Sequence, residues 1–231
     1  MRQMAEVLIG KFDAVLFDMD GTLVNSFNSI ESAWQRWSEH HTFDAEAVIA
    51  SMHGLRAIDA IRKHLPSLTE AQYEAEARAI DSFEIDAGIA IPEIPGAARL
   101  LRSLPANRWA ITTSADRTMA KYRVTKAGLP LPTVLTAGED VEHGKPHPAG
   151  YLLSSKLLGV PIDRCLVFED TRVGLQAGLA AGATVVSVGN RQASNELAVK
   201  RIIQDYRNVE VEYSDSEIHV FIEESQLSME G

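Results

Sequence analysis

Short apolar runs alternate with helical patterns over most of this chain, and this alternation constrains the fold more than any other feature. Runs of this length and composition are typical of strands buried on both faces of a parallel sheet. They cover residues 12–17, 109–113, 134–136, 165–168 and 184–188. Because strands that alternate with helices form βαβ units, the pattern predicts an α/β protein with a doubly wound parallel sheet.

Glycines mark the ends of several predicted helices between these runs. Gly128, Gly159 and Gly182 follow three of them, where a residue in the left-handed conformation commonly ends a helix. The predicted helices cover residues 96–104, 118–127, 149–158 and 173–181. Beyond residue 190 the pattern weakens, and we expect a helix at 195–204 and edge strands at 209–213 and 218–222.

The alternation is interrupted between residues 26 and 91, where only helical patterns occur. Thr69 and Gln72 have the spacing of a capping box at the start of the last one. The patterns cover residues 30–39, 45–52, 56–65 and 70–83. We interpret residues 26–91 as an all-helical cap domain inserted into a core of residues 1–25 and 92–231. The alternative is that these helices form a side layer of the core.

Charge and cysteine content narrow the range of partners. The 22 Lys and Arg against 32 Asp and Glu give a net charge of −10, which disfavours nucleic acid because such binding depends on basic residues. Cys165 is the only cysteine, so no internal disulfide can form, which fits a reducing compartment. No apolar stretch approaches the roughly 20 residues of a membrane helix. We therefore expect a cytoplasmic protein with neither nucleic-acid nor membrane partners.

Two aspartates, Asp18 and Asp20, directly follow the first predicted strand. Ligands of open parallel sheets bind beyond the carboxyl ends of the strands, so a reactive group belongs here. Carboxylates two residues apart on extended chain face the same way and repel each other unless a cation or proton is shared. A solvated turn is the alternative, since Asp and Gly are common in turns.

A second acidic pair, Glu169 and Asp170, follows the strand at 165–168. On its own, Asp170 could be a helix N-cap. Together with Asp18 and Asp20, the pair offers the hard oxygen ligands that suit Mg²⁺.

Ser114 and Lys145 are the candidate phosphate-binding residues. Ser114 opens a polar turn after a predicted strand, where it could hold an anion or serve equally well as an N-cap or turn residue. Lys145 lies between Gly144 and Pro146, which restrict the backbone around it. It is the cation best placed to balance an acidic site and a phosphoryl group.

Four segments together resemble the haloacid dehalogenase superfamily, in its phosphatase branch with a small helical cap. They are DMDGTLVNS at 18–26, ITTSAD at 111–116, GKPHPAGY at 144–151 and FEDTRVGLQAG at 168–178. The cap and residues 94–114 further resemble sugar-phosphate and polyol-phosphate phosphatases of the hexitol-, 2-deoxyglucose- and glycerol-phosphate type. The resemblance implies a Rossmann-like core and hydrolysis of a small phosphorylated metabolite.

The resemblance also implies a role for each motif residue. Asp18 would attack phosphorus to give an aspartyl-phosphate, with Asp20 as general acid and then general base. Mg²⁺ would be held by Asp18, the backbone carbonyl of Asp20, and Asp170, with Glu169 nearby or contributing. Ser114 and Lys145 would hold the phosphoryl oxygens. The dehalogenases of the superfamily lack the second aspartate of the first motif, so Asp20 disfavours dehalogenation.

Substrate choice in such enzymes usually comes from the cap. Arg56 could hydrogen-bond a polyol hydroxyl or a second anionic group, or it could be a solvated residue at a helix start. Trp34 and Trp37 are expected in the core of the cap rather than as a sugar platform.

Two other functions remain open from the sequence. A sugar phosphomutase would share the core residues but return the phosphoryl group to a second hydroxyl, and a non-catalytic binding protein would share only the fold. The sequence leaves the oligomeric state open, with a monomer as one option.

Overall fold

A computed structural model describes residues 6–189, 197–214 and 216–223 of the chain. The strands are β1 (Glu6–Phe12), β2 (Ala14–Phe17), β3 (Trp109–Thr112), β4 (Val134–Thr136), β5 (Cys165–Glu169), β6 (Thr184–Val188), β7 (Arg201–Ile203), β8 (Val209–Ser214) and β9 (Glu217–Glu223). The α-helices are α1 (Phe27–His40), α2 (Ala45–Met52), α3 (Ala57–His64), α4 (Glu70–Ala87), α5 (Ala97–Ser103), α6 (Arg117–Lys126), α7 (Ala149–Leu158) and α8 (Arg172–Ala181).

The main sheet has six parallel strands in the order β4-β3-β2-β5-β6-β7. The predicted α/β fold is therefore confirmed, and the architecture is a doubly wound, Rossmann-like sheet. Chain order reverses between β2 and β5, the central pair of the sheet. Ligand sites of such folds lie beyond the carboxyl ends of strands at this kind of reversal.

Strand β2 is buried on both faces, as its unbroken apolar run predicts. Val15 and Phe17 belong to one hydrophobic cluster, with residues of α5 and α6. Ala14 and Leu16 belong to another, with residues of α7 and α8. Successive side chains of a strand point to opposite faces, so β2 lies between two helical layers. Packing on both faces fixes the position at which the strand ends, directly before Asp18.

Helices α1–α4 pack around a hydrophobic cluster of their own. Trp37 is fully buried there and its indole N–H donates to Glu76 at 2.8 Å. Trp34 is also buried, next to Trp37. The predicted capping box is confirmed, since the Thr69 side chain accepts from the Gln72 N–H and the Gln72 side chain accepts from the Thr69 N–H. We call the segment that contains α1–α4 the cap and the remainder the core; that the cap is an inserted domain with boundaries at residues 26 and 91 stays a prediction.

The C-terminal part of the chain differs from the sequence expectation. The predicted helix at 195–204 is wrong over its described part, because Arg201–Ile203 forms strand β7 beside β6; residues 190–196 lie outside the described residues. Pairing with a sheet edge buries Ile203 and overrides the local helical preference. The strands expected at 209–213 and 218–222 are confirmed as β8 and β9.

Strands β8 and β9 join β1 in a separate antiparallel sheet in the order β1-β9-β8. Strand β1 was not expected from the sequence. The buried face of this sheet packs against the cluster shared by α5 and α6.

Two smaller expectations can be compared with the structure. Cys165 is buried, as expected for a packing residue, and burial raises the pKa of its thiol to about 12. Among the described residues, no helix combines the length and apolar character needed to cross a membrane.

Candidate active site

The carboxyl ends of β2 and β5 bring three acidic side chains together. Phe17 pairs with Phe168, so the next residues along each strand are neighbours: the Asp18 N–H donates to the Phe168 carbonyl at 3.0 Å. Asp18, Glu169 and Asp170 are all buried. Each offers a carboxylate oxygen, and these oxygens lie within 4.8 Å of one another.

A tight turn after β2 brings the backbone of Gly21 against Asp170. Gly21 has a φ of +81°, and a Cβ at this position would lie 2.1 Å from Asp170 Oδ2. The next residue, Thr22, donates its hydroxyl to Asp170 Oδ1 at 3.0 Å. Glycine is therefore required here both by the backbone conformation and by the close approach of the carboxylate. Asp170 is not the N-cap of α8; Thr171 has that position.

Lys145 is the cation of this acidic cluster. Its Nζ donates to Asp18 Oδ1 and, at 2.6 Å, to Glu169 Oε1. It also lies 5.3 Å from the centre of the Tyr151 ring. The loop before α7 thus delivers the lysine to the acidic cluster, as expected from its flanking Gly144 and Pro146.

Burial and mutual repulsion perturb the titration of the cluster. Burial raises the pKa of Asp18 to about 7, with Lys145 opposing and Glu169 reinforcing the shift. Burial, then the charges of Glu169 and Asp18, raises the pKa of Asp170 well above its usual range. Burial alone would lower the pKa of Lys145, but the carboxylates of Asp18 and Glu169 outweigh it and raise that pKa.

The cluster fits a divalent cation. Three carboxylates and one ammonium group leave a net formal charge of −2 in a buried site. A hard cation with two positive charges would neutralise that excess and accept the carboxylate oxygens as ligands. Glu169 is partly committed elsewhere, because its Oε2 accepts from the Thr171 N–H at 2.6 Å and its Oε1 accepts from Lys145.

Gly174 on α8 gives Glu169 the space that it needs. A Cβ at Gly174 would lie 1.6 Å from Glu169 Oε1. We expect Gly174→Ala to lower the free energy of unfolding by roughly 1–3 kcal/mol, the usual cost of overpacking. Urea unfolding checks this. Gly178→Ala on the same helix is the matched control, because its Cβ would meet only Val185 and Val167 side-chain atoms, the nearest at 3.0 Å. Equal losses for the two variants would contradict the assignment.

Asp20 is held separately from the acidic cluster. Its Oδ1 accepts from the Ser26 hydroxyl at 2.6 Å and its Oδ2 accepts from Arg123 Nη1 at 2.8 Å. Arg123 in turn makes a two-pronged ion pair with Glu84 of α4. Arg123 and Glu84 were not singled out from the sequence, since nothing local distinguishes a buried arginine or glutamate from the exposed majority.

Ser114 lies where the cap meets the core. Its hydroxyl donates to the Gly54 carbonyl of the cap at 2.9 Å. The N-cap of α6 is Asp116, whose side chain accepts from two backbone N–H groups. Ser114 is thus free of a capping role, and its contact with phosphate stays a prediction.

Arg56 joins the cap to the core. Its Nε and Nη2 donate to Asp59 at 2.6 and 2.9 Å, and its Nη1 donates to the carbonyl of Val141 at 3.0 Å. The side chain also lies in the wall of the main cavity. The expected contact between Arg56 and substrate stays a prediction.

A cavity of about 420 Å³ lies between cap and core. Asp18 and Asp20 both line it, as do Ser114 and Arg123. Its cap wall is largely apolar and includes Phe27, Ile30, Trp34, Met52, Leu55 and Ile80. Both motif aspartates therefore line one cavity of a size typical for small-molecule sites.

Comparison with known proteins finds relatives with named activities and solved structures with the same fold. Hexitol phosphatase A of Escherichia coli (strain K12) is 41% identical over 177 residues, which cover 75% of this chain and 81% of that protein. Glycerol-1-phosphate phosphohydrolase 2 of Saccharomyces cerevisiae is 36% identical over 189 residues, covering 77% and 75%. A β-phosphoglucomutase from Clostridium difficile shares the fold with a TM-score of 0.74 at 19% identity, over 84% of this chain and 91% of that one.

The family comparison extends over most of the chain. Residues 12–182 match the family described as haloacid dehalogenase-like hydrolase. This range contains both acidic motifs, Ser114, Lys145 and the four cap helices. The chain therefore belongs to the haloacid dehalogenase-like hydrolase family, as its four motifs indicated.

Proposed function

We propose that this protein is a Mg²⁺-dependent phosphomonoesterase that hydrolyses a small phosphorylated sugar or polyol. The observation that carries the proposal is that Asp18, which is paired with Lys145, lines the main cavity together with Asp20. The named activities of the hexitol and glycerol-1-phosphate relatives support the same reaction and substrate class.

In the first half of the proposed reaction, an Asp18 carboxylate oxygen attacks phosphorus. The bond between phosphorus and the substrate oxygen breaks, and protonated Asp20 gives its proton to the leaving alkoxide. In the second half, Asp20 takes a proton from water, whose oxygen attacks the aspartyl-phosphate. Inorganic phosphate leaves and the Asp18 carboxylate is restored. Covalent catalysis thereby divides one difficult displacement into two easier ones.

In this proposal Lys145 balances charge on the phosphoryl group, and the Ser114 hydroxyl donates a hydrogen bond to a phosphoryl oxygen. Asp18 and Asp170, with the backbone carbonyl of Asp20 and with Glu169 nearby, would hold Mg²⁺. When bound, the ion supplies positive charge to the phosphoryl oxygens and lowers the pKa values of the carboxylates that hold it.

The charges around the cavity indicate a substrate with a single phosphate. Among the described residues that line the main cavity, the cations are Arg56, Arg62 and Arg123, and each is paired with a carboxylate. A second anionic group on the substrate would therefore have to displace one of these ion pairs. A neutral body with several hydroxyls is a better match.

Phosphate release from a panel of phosphorylated sugars and polyols, with Mg²⁺ and with a chelator, tests the proposal. We expect turnover of hexitol or glycerol phosphates that the chelator abolishes. Hexose 1-phosphate is included because a phosphomutase would isomerise it without releasing phosphate. Sustained isomerisation of hexose 1-phosphate without phosphate release would show that the protein is a phosphomutase. If no substrate is turned over, the protein would be a non-catalytic binding protein. We also propose that the protein acts on its metabolite in the cytoplasm.

The metal site has a test that does not depend on turnover. A ligand present at 100 times its dissociation constant stabilises a folded protein by about 2.7 kcal/mol. We therefore expect Mg²⁺ to raise the melting temperature of the protein by roughly 5–10 °C, and we expect Asp170→Asn to abolish that rise. Asp163→Asn, which removes a carboxylate distant from the cluster, should keep it. An unchanged melting temperature of the wild type in Mg²⁺ would contradict the site.

A further inference from the structure

Arg123 connects the cap to one specific catalytic candidate. It is only 7% exposed, and three carboxylate oxygens accept hydrogen bonds from its guanidinium group. Glu84 Oε1 and Oε2 accept from Nε at 2.8 Å and from Nη2 at 2.6 Å. Asp20 Oδ2 accepts from Nη1 at 2.8 Å. Arg123 lies on α6 of the core, whereas Glu84 lies on α4 of the cap.

Burying the ion pair between Arg123 and Glu84 carries a free-energy cost, because both charged groups lose their contact with water. Glu84 is 1% exposed, so both members of the ion pair are out of water. A buried ion pair is often no more stabilising than apolar residues of the same volume, so its presence here is weak evidence for a stability role. The ion pair does fix the orientation of Arg123. Two hydrogen bonds to Glu84 hold the plane of the guanidinium group, and the third hydrogen bond, to Asp20, lies in that plane.

The same contacts determine how the Asp20 carboxyl group is turned. Arg123 binds Oδ2, and Ser26, the residue directly before α1, binds Oδ1. Ser26 directly precedes α1, and Arg123 is bound to Glu84 of α4, so both donors are connected to the cap. The orientation of Asp20 therefore depends on α4 lying close enough to α6 for the ion pair between Glu84 and Arg123 to form.

We propose that Glu84 and Arg123 are positioning residues that hold the Asp20 carboxyl group in its working orientation when the cap packs on the core. The proposal rests on the proposed function, in which Asp20 protonates the leaving oxygen. It makes packing of α4 a condition for acid–base catalysis.

The identity of the leaving group separates this role from a structural one. General acid catalysis matters most for an alkoxide, which leaves poorly, and least for p-nitrophenolate, which leaves without a proton. Misplacing a catalytic group typically costs up to about 100-fold in rate. We expect Arg123→Gln and the double variant Glu84→Gln/Arg123→Gln to lower kcat/KM for glycerol phosphate by roughly 10- to 100-fold. The ratio kcat/KM is compared because it covers the steps only up to departure of the leaving group, whereas hydrolysis of the aspartyl-phosphate, which also uses Asp20, is common to both substrates. The loss with p-nitrophenyl phosphate should be at least about tenfold smaller.

A second measurement uses Asp20 itself. If Arg123 acts through Asp20, the two substitutions should not be additive. In an Asp20→Asn background, Arg123→Gln should then change glycerol phosphate turnover by less than about threefold. Lys121→Gln on α6 and Glu74→Gln on α4 are the matched controls, because both residues are exposed on the same two helices. Neither should change the ratio of the two activities.

The wild type is measured first, so that the two proposals can fail separately. No hydrolysis of either substrate by the wild type would overturn the proposed function. Hydrolysis by the wild type with equal losses of kcat/KM on both substrates in the Arg123 variants would overturn only the positioning role. The double variant neutralises both members of the Glu84–Arg123 pair, so Glu84 is not left as an unpaired buried charge. It is the variant to measure if Arg123→Gln alone does not fold. Additive effects of Asp20→Asn and Arg123→Gln would also overturn the positioning role.

Discussion

Replacing Asp18 by asparagine is expected to lower the rate of phosphate release by at least about 10⁴-fold, because loss of a covalent nucleophile removes the reaction path itself. The fold should remain intact. The asparagine side chain would have nearly the same size, and Lys145 would keep its hydrogen bond to Glu169 at 2.6 Å. Phosphate release under saturating substrate measures the first effect, and thermal unfolding measures the second.

Asp13→Asn is the matched control for this variant. Asp13 precedes β2, at the opposite end of the strand from Asp18, and pairs with the partly exposed Arg164. It should keep nearly the activity of the wild type. Activity close to that of the wild type in Asp18→Asn would exclude Asp18 as the nucleophile.

Removal of Lys145 should affect both stability and activity. Lys145→Met keeps the length of the side chain but leaves Asp18 and Glu169 without their shared cation. Breaking a buried pair in this way typically costs about 3–5 kcal/mol, because uncompensated charge stays buried. Loss of a cation at the phosphoryl group should also lower kcat by roughly 100- to 1,000-fold. Urea unfolding and phosphate release measure the two effects.

Metal provides an internal check on the Lys145 variant. With the lysine absent, the cluster carries more negative charge, so Mg²⁺ should recover part of the lost stability. Lys156→Met, at an exposed position of α7, is the control and should change neither quantity appreciably. An unfolding free energy of Lys145→Met within about 0.5 kcal/mol of the wild type would show that the cluster does not need its cation.

The net charge of the whole chain and the local charge of the site favour different ligands. A net charge of −10 disfavours extended polyanions as ligands. Several of those acids are nevertheless gathered around Lys145, in a site suited to a divalent cation. In the proposed function, binding of a small phosphate therefore depends on a few buried groups and not on the overall field.

Much of the core could be predicted because its signals are local. Strands β2 to β6 follow from short apolar runs, and α5 to α8 follow from helical periodicity with glycine ends. The meeting of Asp18 with Glu169 and Asp170 could also be expected, since parallel strands place their carboxyl ends at one edge. Asp18 meets the other two acidic residues because β2 and β5 are neighbours in the sheet. The apolar runs in the sequence do not specify which strands are neighbours.

The three-stranded sheet could not be predicted as a unit. Strand β1 pairs with β9, near the other end of the chain, so its stability depends on a partner about 200 residues away. Strand β7 is only three residues long and forms because β6 offers an edge that buries Ile203. Strand preference depends on such neighbours more than on the residues themselves.

The sequence by itself determined the α/β class, the acidic motifs and the lysine that balances them, because each depends on residues close together in the chain. Only the tertiary structure decided the partners of Asp20 and Arg56. Arg123 and Glu84 are 39 residues apart, and Arg56 reaches carbonyls more than 80 residues away. These contacts join the segment that contains α1–α4 to the elements around the parallel sheet, and burial between the two is what turns ordinary charged residues into fixed partners.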